Sequence, residues 1–132
     1  VRKLKKVLLI DDDNISNELN KSIIEKSDFA EEIILKINGK EAFDYLDKEC
    51  GEGRYPDLIL LDLKMPVMDG FEFLEALERI CQDEIKNIVV VVLTSSKHAD
   101  DYMRILALGN YYLMQKPLNK DMLLDIHHRY FR

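Results

Sequence analysis

The sequence predicts an α/β domain in which a parallel sheet is wound on both sides by helices. Three observations carry that prediction. Short apolar runs alternate with segments of helical spacing from one end of the chain to the other. Runs such as "NIVVVVL" are apolar on both faces, as strands covered by helices on both sides must be. No linker or low-complexity stretch interrupts the alternation, so β-α repeats five times, which is the pattern of a doubly wound sheet.

The first strand is Val7–Ile10, and it runs straight into Asp11, Asp12 and Asp13. Ile15, Leu19 and Ile23 recur every four residues and predict the first helix. At or just before its start, Asp13 and Asn14 are of the type that satisfies free backbone N–H groups. The second strand, Ile33–Ile37, follows "AEE", and Ala42, Phe43 and Leu46 predict the helix after it. "CGEGRYP" (Cys50–Pro56) reads as a flexible loop, with two glycines and a proline before the next strand. Leu58–Leu61 is the third strand and ends in Asp62. Asp69 and Gly70 form a turn that opens the third helix, marked by Phe71, Leu74, Leu77 and Ile80. The fourth strand, Ile88–Leu93, ends in Thr94 and Ser95, and His98 stands at the start of a helix carrying Ala99, Met103 and Leu106. A weaker run, Tyr111–Met114, is the fifth strand and leads into Lys116 and Pro117. Met122, Leu123 and Ile126 mark the last helix. Only "YFR" follows it, so the expectation is a single domain over residues 1–132 with no output domain.

Composition narrows the function. With 132 residues, 47% apolar and 33% charged, the chain can bury one proper core. A net charge of −6 argues against a general nucleic-acid binder, which needs a basic face. No apolar run reaches membrane-span length, and basic Val1–Lys6 lacks a following signal-type stretch. Cys50 and Cys81 form neither a CxxC pair nor a dense framework, and read as free thiols of a cytoplasmic protein.

Ligands of open α/β sheets bind beyond the carboxyl ends of the strands. Asp11, Asp12, Asp62, Thr94 and Lys116 therefore converge on one edge. Three carboxylates around one pocket need a divalent cation, and hard oxygen donors suit Mg²⁺. A carboxylate beside that metal can act as a nucleophile toward a phosphoryl group, giving an acyl phosphate. Thr94 and Lys116 are of the type that stabilises the spread charge of the transferring group. The chemistry implied is phosphorylation of an aspartate. Met65 and Met68 read as loop packing, since thioethers do not suit a hard cation. The adjacent His127 and His128 face different directions on a helix and do not read as a metal site.

These residues resemble the receiver domain of two-component response regulators, the family that includes the chemotaxis regulator. The match spans essentially the whole chain. Its most specific stretch is "LLDLKMPVMDG" (Leu60–Gly70), joined by "LIDD", "VLTS" and "KP" at the other strand ends. The resemblance implies a flavodoxin-like (βα)5 sheet in the order 2-1-3-4-5. It implies phosphorylation of Asp62 by a sensor histidine kinase or phosphotransfer domain. Asp11 and Asp12 match the Mg²⁺-positioning pair, Lys64 the position whose backbone carbonyl completes the coordination, Thr94 the phosphoryl-binding hydroxyl and Lys116 the pairing lysine. The Lys116–Pro117 bond is commonly cis in the family. Phosphorylation would switch a protein-interaction face made by the fourth helix, fifth strand and fifth helix, toward a downstream target this sequence does not name. The implied protein is cytoplasmic, is not a turnover enzyme, and contacts neither nucleic acid nor membrane.

Two departures stand out. Family members usually carry Tyr or Phe three residues before the lysine; here that position is Leu113, with Tyr111 and Tyr112 just before it. Either a one-residue shift lets Tyr112 take the role or the aromatic coupling is absent. Lys64 and Ser96, which flank the phosphoryl site, occupy positions expected to tune hydrolysis. The rival readings are a haloacid-dehalogenase-type phosphatase and a non-phosphorylated pseudo-receiver that acts only as a binding module. The first wants an acid two residues after the nucleophile, where Lys64 stands, and the second retains no reason for a complete set of chemical residues. A flavodoxin is excluded, because the acidic triplet would repel the FMN phosphate.

Overall fold

The computed structural model describes residues 2–109 and 111–131; Val1, Asn110 and Arg132, the outer ends of the predicted 1–132 domain among them, lie outside the described residues. Five strands, β1 (Leu4–Ile10), β2 (Ala30–Lys36), β3 (Leu58–Leu61), β4 (Val89–Thr94) and β5 (Tyr112–Gln115), alternate with five α-helices. The helices are α1 (Asn14–Lys26), α2 (Gly39–Gly51), α3 (Gly70–Ile80), α4 (Ala99–Leu108) and α5 (Lys120–Tyr130). All pairings are parallel, in the order β2-β1-β3-β4-β5. This is the doubly wound, flavodoxin-like sheet that the sequence predicts.

The two-residue period of a strand divides the apolar runs between two cores. Leu8, Ile10, Ile59, Leu61, Val90 and Val92 pack with side chains of α2, α3 and α4. Val7, Leu9, Leu58, Leu60, Val91 and Leu93 pack with α1 and α5. The central strands β1 (from Val7 onward), β3 and β4 are thus buried on both faces, which is why those runs show no polar alternation. The edge strands β2 and β5 are only partly covered.

Helix starts follow from side chains that cap free N–H groups. Asp13 caps α1, accepting from Ile15 N at 2.9 Å, as its sequence position predicts. Asn38 and Asn119 do the same for α2 and α5, and Asp69 forms a reciprocal capping box with Glu72 at α3. His98 begins α4 without a side-chain cap bond.

Both spacing-predicted helices form, and the structure adds which of their sides is covered and where one loop begins. Ile15 and Leu19 are 71% and 60% exposed, so the first two positions of the α1 stripe face solvent, while Ile23 packs against the core and Asn17 and Ile24 turn inward. On α4, Met103 and Leu106 are likewise exposed and Ile105 is the buried residue. A four-residue spacing marks a helix but not which of its sides is covered. "CGEGRYP" is only partly loop: Cys50 and Gly51 complete α2, and the chain then turns through Gly53 at φ +75°.

The cysteines are not free. Cys50, at the end of α2, is joined to Cys81, at the end of α3, by a disulfide spanning 31 residues. The spacing hid this pairing because it arises from two helices ending side by side. Both residues are buried, which shields the bond from thiol exchange. Closing a loop of that length is worth on the order of 3 kcal/mol. Reduction, or the Cys50→Ala/Cys81→Ala double variant, should lower the melting temperature by roughly 10 °C. A melt indifferent to reductant would mean that the thiols are not paired in solution.

Candidate functional site

The carboxyl ends of β1, β3, β4 and β5 bring the predicted residues together. Asp11 and Asp12 follow β1, Asp62 follows β3, Thr94 ends β4 and Lys116 follows β5. One carboxylate oxygen from each of Asp11, Asp12 and Asp62 lies within 4.8 Å of the other two. Lys116 Nζ donates to Asp11 Oδ2 at 2.7 Å and lies 3.5 Å from Asp62 Oδ1. Thr94 is buried on the same side of β4 as Val92 and accepts from Ser96 N at 3.0 Å. The Lys116–Pro117 bond is cis. Lys64 lies in the loop after Asp62 with an exposed side chain, its ammonium 3.5 Å from Asp101.

The electrostatics are those of a site built for a cation. Asp62 is 9% exposed at its side chain, and burial is the largest cause pushing its carboxyl above the ordinary value. Lys116 opposes this, Asp11 adds to it, the Leu63 N–H on Oδ1 opposes it, and Asp12 adds again. Burial also pulls the Lys116 ammonium down, but its hydrogen bond to Asp11 and the charge of Asp62 outweigh that and leave it raised. One lysine thus faces three carboxylates. Clustered hard oxygens with an uncompensated negative charge fit Mg²⁺.

The shift on Asp62 has a stability consequence. An acid whose folded pKa is raised binds its proton more tightly in the folded state. Its favourable contribution is complete below the unfolded value, roughly 3.9, and is lost as pH rises through the folded value. At neutral pH the ionised group therefore costs stability. With divalent metal chelated, Asp62→Asn should raise the melting temperature at pH 7, and the gain should shrink toward pH 4. Melts at the two pH values check this; a lower melting temperature at pH 7 would contradict it.

The question of the aromatic position has a geometric answer. Val92 pairs with Leu113 and Thr94 with Gln115, so Leu113 and Gln115 lie on Thr94's side of the sheet. Tyr112 points the other way and donates to Asp125 Oδ2 at 3.1 Å on α5. Tyr111 packs with the α2–α4 core and bonds Glu78 of α3 at 3.2 Å. The strand is not shifted; Tyr112 lies on the side away from Thr94, and Tyr111, on Thr94's side, is bonded to Glu78 instead.

Two residues of the site escaped the sequence reading. Asn17, buried on α1, donates through Nδ2 to the carbonyls of Asp11 at 2.8 Å and Lys36 at 3.3 Å. It ties the ends of β1 and β2 and so holds the backbone that carries the acidic pair. A polar residue four positions after a capping aspartate, amid an apolar pattern, is the trace it leaves in the sequence. Asp101, in the first turn of α4, accepts from Ser96 Oγ at 2.6 Å as well as facing Lys64. Its sequence position reads only as a dipole-favouring acid.

Comparison with known proteins agrees with this geometry. The family model described as "Response regulator receiver domain" matches residues 7–128. A probable methanogenesis regulatory protein, FilR2, of Methanothrix harundinacea is 38% identical, over 86% of this chain and 72% of its own length. Sporulation initiation phosphotransferase F of Bacillus subtilis is 32% identical, over 96% of this chain and 93% of its own. A solved two-component response regulator from Cytophaga hutchinsonii superposes with a TM-score of 0.86 at 33% identity, covering 97% of each chain. In two other relatives the match spans only 7% and 6% of a much longer protein.

Proposed function

Because this chain belongs to the response regulator receiver domain family, whose members act in phosphorylation-based two-component signalling, we propose that Asp62 is its phosphoacceptor. The single observation that carries the reading is the convergence of Asp11, Asp12, Asp62 and Lys116 at one sheet edge.

Asp11, Asp12, Asp62 and the Lys64 backbone carbonyl would hold Mg²⁺, which when bound supplies charge neutralisation for the carboxylates and the arriving phosphoryl group. Asp62 Oδ1 is engaged by Leu63 N and faces Lys116, so Oδ2 is the oxygen that attacks. It forms the bond to phosphorus while the phosphorus–nitrogen bond of a phosphohistidine breaks and the imidazole leaves with the electron pair. Lys116, already within 3.5 Å of Asp62, pairs with the new phosphoryl oxygens. Thr94 contributes its hydroxyl from β4. Later hydrolysis returns Asp62 to a carboxylate and releases inorganic phosphate.

The donor is a sensor histidine kinase or a phosphotransfer domain. Exposed Ile15, Leu19 and Val67, on the α1 and β3–α3 segments that follow the acidic strand ends, give such a partner an apolar surface to bury. Output passes to a downstream protein through α4, β5 and α5, where Met103 and Leu106 are exposed. The domain turns over no external substrate: Lys64, where a phosphatase of the rival class needs an acid, is directed to Asp101. The proposed phosphodonors place it in the cytoplasm, where the buried Cys50–Cys81 disulfide is shielded from thiol exchange.

The test is direct. The protein is incubated with Mg²⁺ and a small acyl phosphate, and intact mass should show one added phosphoryl group that is lost in base. No labelling, or turnover of a phosphate ester with no retained label, would overturn the reading.

A further inference from the structure

Asp101 is bonded at both ends to segments other than its own. Its Oδ2 takes the Ser96 hydroxyl at 2.6 Å, and its Oδ1 lies 3.5 Å from the Lys64 ammonium. The carboxylate is 13% exposed, against 66% for the Lys64 side chain. The Ser96 hydroxyl is the main cause holding this carboxyl below its ordinary value; burial opposes it and the Lys64 charge reinforces it. Ser96 in turn donates its N–H to Thr94 Oγ1 at 3.0 Å, and its carbonyl accepts from Tyr102 Oη at 3.0 Å. One carboxylate on α4 therefore joins the two loops that flank Asp62, the one carrying Lys64 and the one carrying Ser96.

We propose that Asp101, itself oriented by the Ser96 hydroxyl, is a positioning residue that sets the lifetime of phosphorylated Asp62 by holding the Lys64 ammonium against α4. This rests on Asp62 being the phosphoacceptor. A phosphoryl group on Asp62 is a dianion that competes with Asp101 for Lys64. While Asp101 is charged, the ammonium has a carboxylate on one side and the Phe71 ring at 5.8 Å on the other. Once that charge is removed, the ammonium transfers to the phosphoryl oxygens. There it stabilises the ground state and occupies the side from which water approaches. In the hydrolysis itself the water oxygen bonds to phosphorus and the bond from phosphorus to the Asp62 oxygen breaks. The carboxylate leaves with the electron pair, and the protons of the water pass to the phosphate and solvent. Asp101 does not touch the reacting atoms; its charge acts through Lys64, and an asparagine at this position keeps an acceptor oxygen for the Ser96 hydroxyl. Because it sits on α4, a displacement of that helix alters the same contacts, so binding at α4 and phosphoryl lifetime are linked.

The full chain is labelled with acyl phosphate and Mg²⁺, the donor is removed, and loss of the phosphoryl group is followed by intact mass. Asp101→Asn should slow the decay about 3- to 10-fold, the scale of one partly screened ion pair. Asp101→Glu, which keeps the charge, should recover most of the wild-type rate. In a Lys64→Ala background, Asp101→Asn should leave the decay unchanged, a dependence that a purely helix-stabilising acid would not show. Unchanged decay in Asp101→Asn, or equal slowing with and without the Lys64 side chain, overturns the proposal while the phosphoacceptor reading stands. A wild-type chain that takes no label overturns both.

Discussion

Asp12→Ala should abolish Mg²⁺-dependent phosphoryl uptake, while Asp13→Ala leaves it intact. The two residues are adjacent and chemically identical, and their difference is geometric. Asp12 contributes a carboxylate oxygen within 4.8 Å of those of Asp11 and Asp62. Asp13 is spent on the start of α1, its Oδ1 accepting from Ile15 N at 2.9 Å and Ser16 N at 3.5 Å. Removing Asp12 takes away one of the three clustered acids and leaves Asp11 committed to Lys116 at 2.7 Å. Removing Asp13 costs a helix cap, about 1 kcal/mol. Mg²⁺ titration followed by melting temperature separates the cases, since a ligand that binds only the folded state raises it by mass action. Asp12→Ala should lose the Mg²⁺-dependent rise, while Asp13→Ala should keep it from a slightly lower baseline. An Asp13→Ala protein equally deaf to Mg²⁺ would displace the acidic pair by one residue.

The second large effect is structural. A Cβ at Gly70 would stand 2.5 Å from the Asp62 carbonyl oxygen and 2.8 Å from Leu63 Cα. Both are backbone atoms that cannot rotate away. Gly70 N also donates to Leu63 O at 2.9 Å, so α3 begins pressed against the strand end that carries Asp62. Gly70→Ala must push the helix start and Asp62 apart, at about 2–4 kcal/mol. We expect a melting temperature lower by about 10 °C, with phosphoryl uptake much reduced even where the fold persists. A variant that melts and labels like the wild type would mean that this approach is looser in solution.

The sheet was legible because its central strands are covered on both faces. Runs such as Leu58–Leu61 and Val89–Leu93 have no other explanation in a chain of this size, and their order followed from the family resemblance. The site was legible because the parallel topology puts every strand's carboxyl end on one edge, so residues far apart in sequence had to meet there. What stayed hidden depends on which side of an element is covered. Ile15 and Leu19 have core chemistry and a helical spacing, yet both are exposed. Cys50 and Cys81 meet because α2 and α3 end together, a matter of helix length and tilt. Asn17 and Asp101 act through bonds to segments distant in the chain. A one-dimensional pattern carries the period of an element, but not its neighbours.

The aromatic question shows the same limit from the other direction. Spacing alone left Tyr112 and Leu113 as alternatives. The register of β5 against β4 decides between them, because Thr94 pairs with Gln115 without a bulge.

The phosphoacceptor assignment is tested most directly by locating the label. Protein phosphorylated with acyl phosphate and Mg²⁺ is treated with borohydride, which reduces an aspartyl phosphate to homoserine, and is then digested and sequenced by mass. The account predicts homoserine at position 62 and aspartate unchanged at positions 11, 12 and 13. Homoserine at any of those three, or nowhere in a protein that had gained a phosphoryl group, would contradict it.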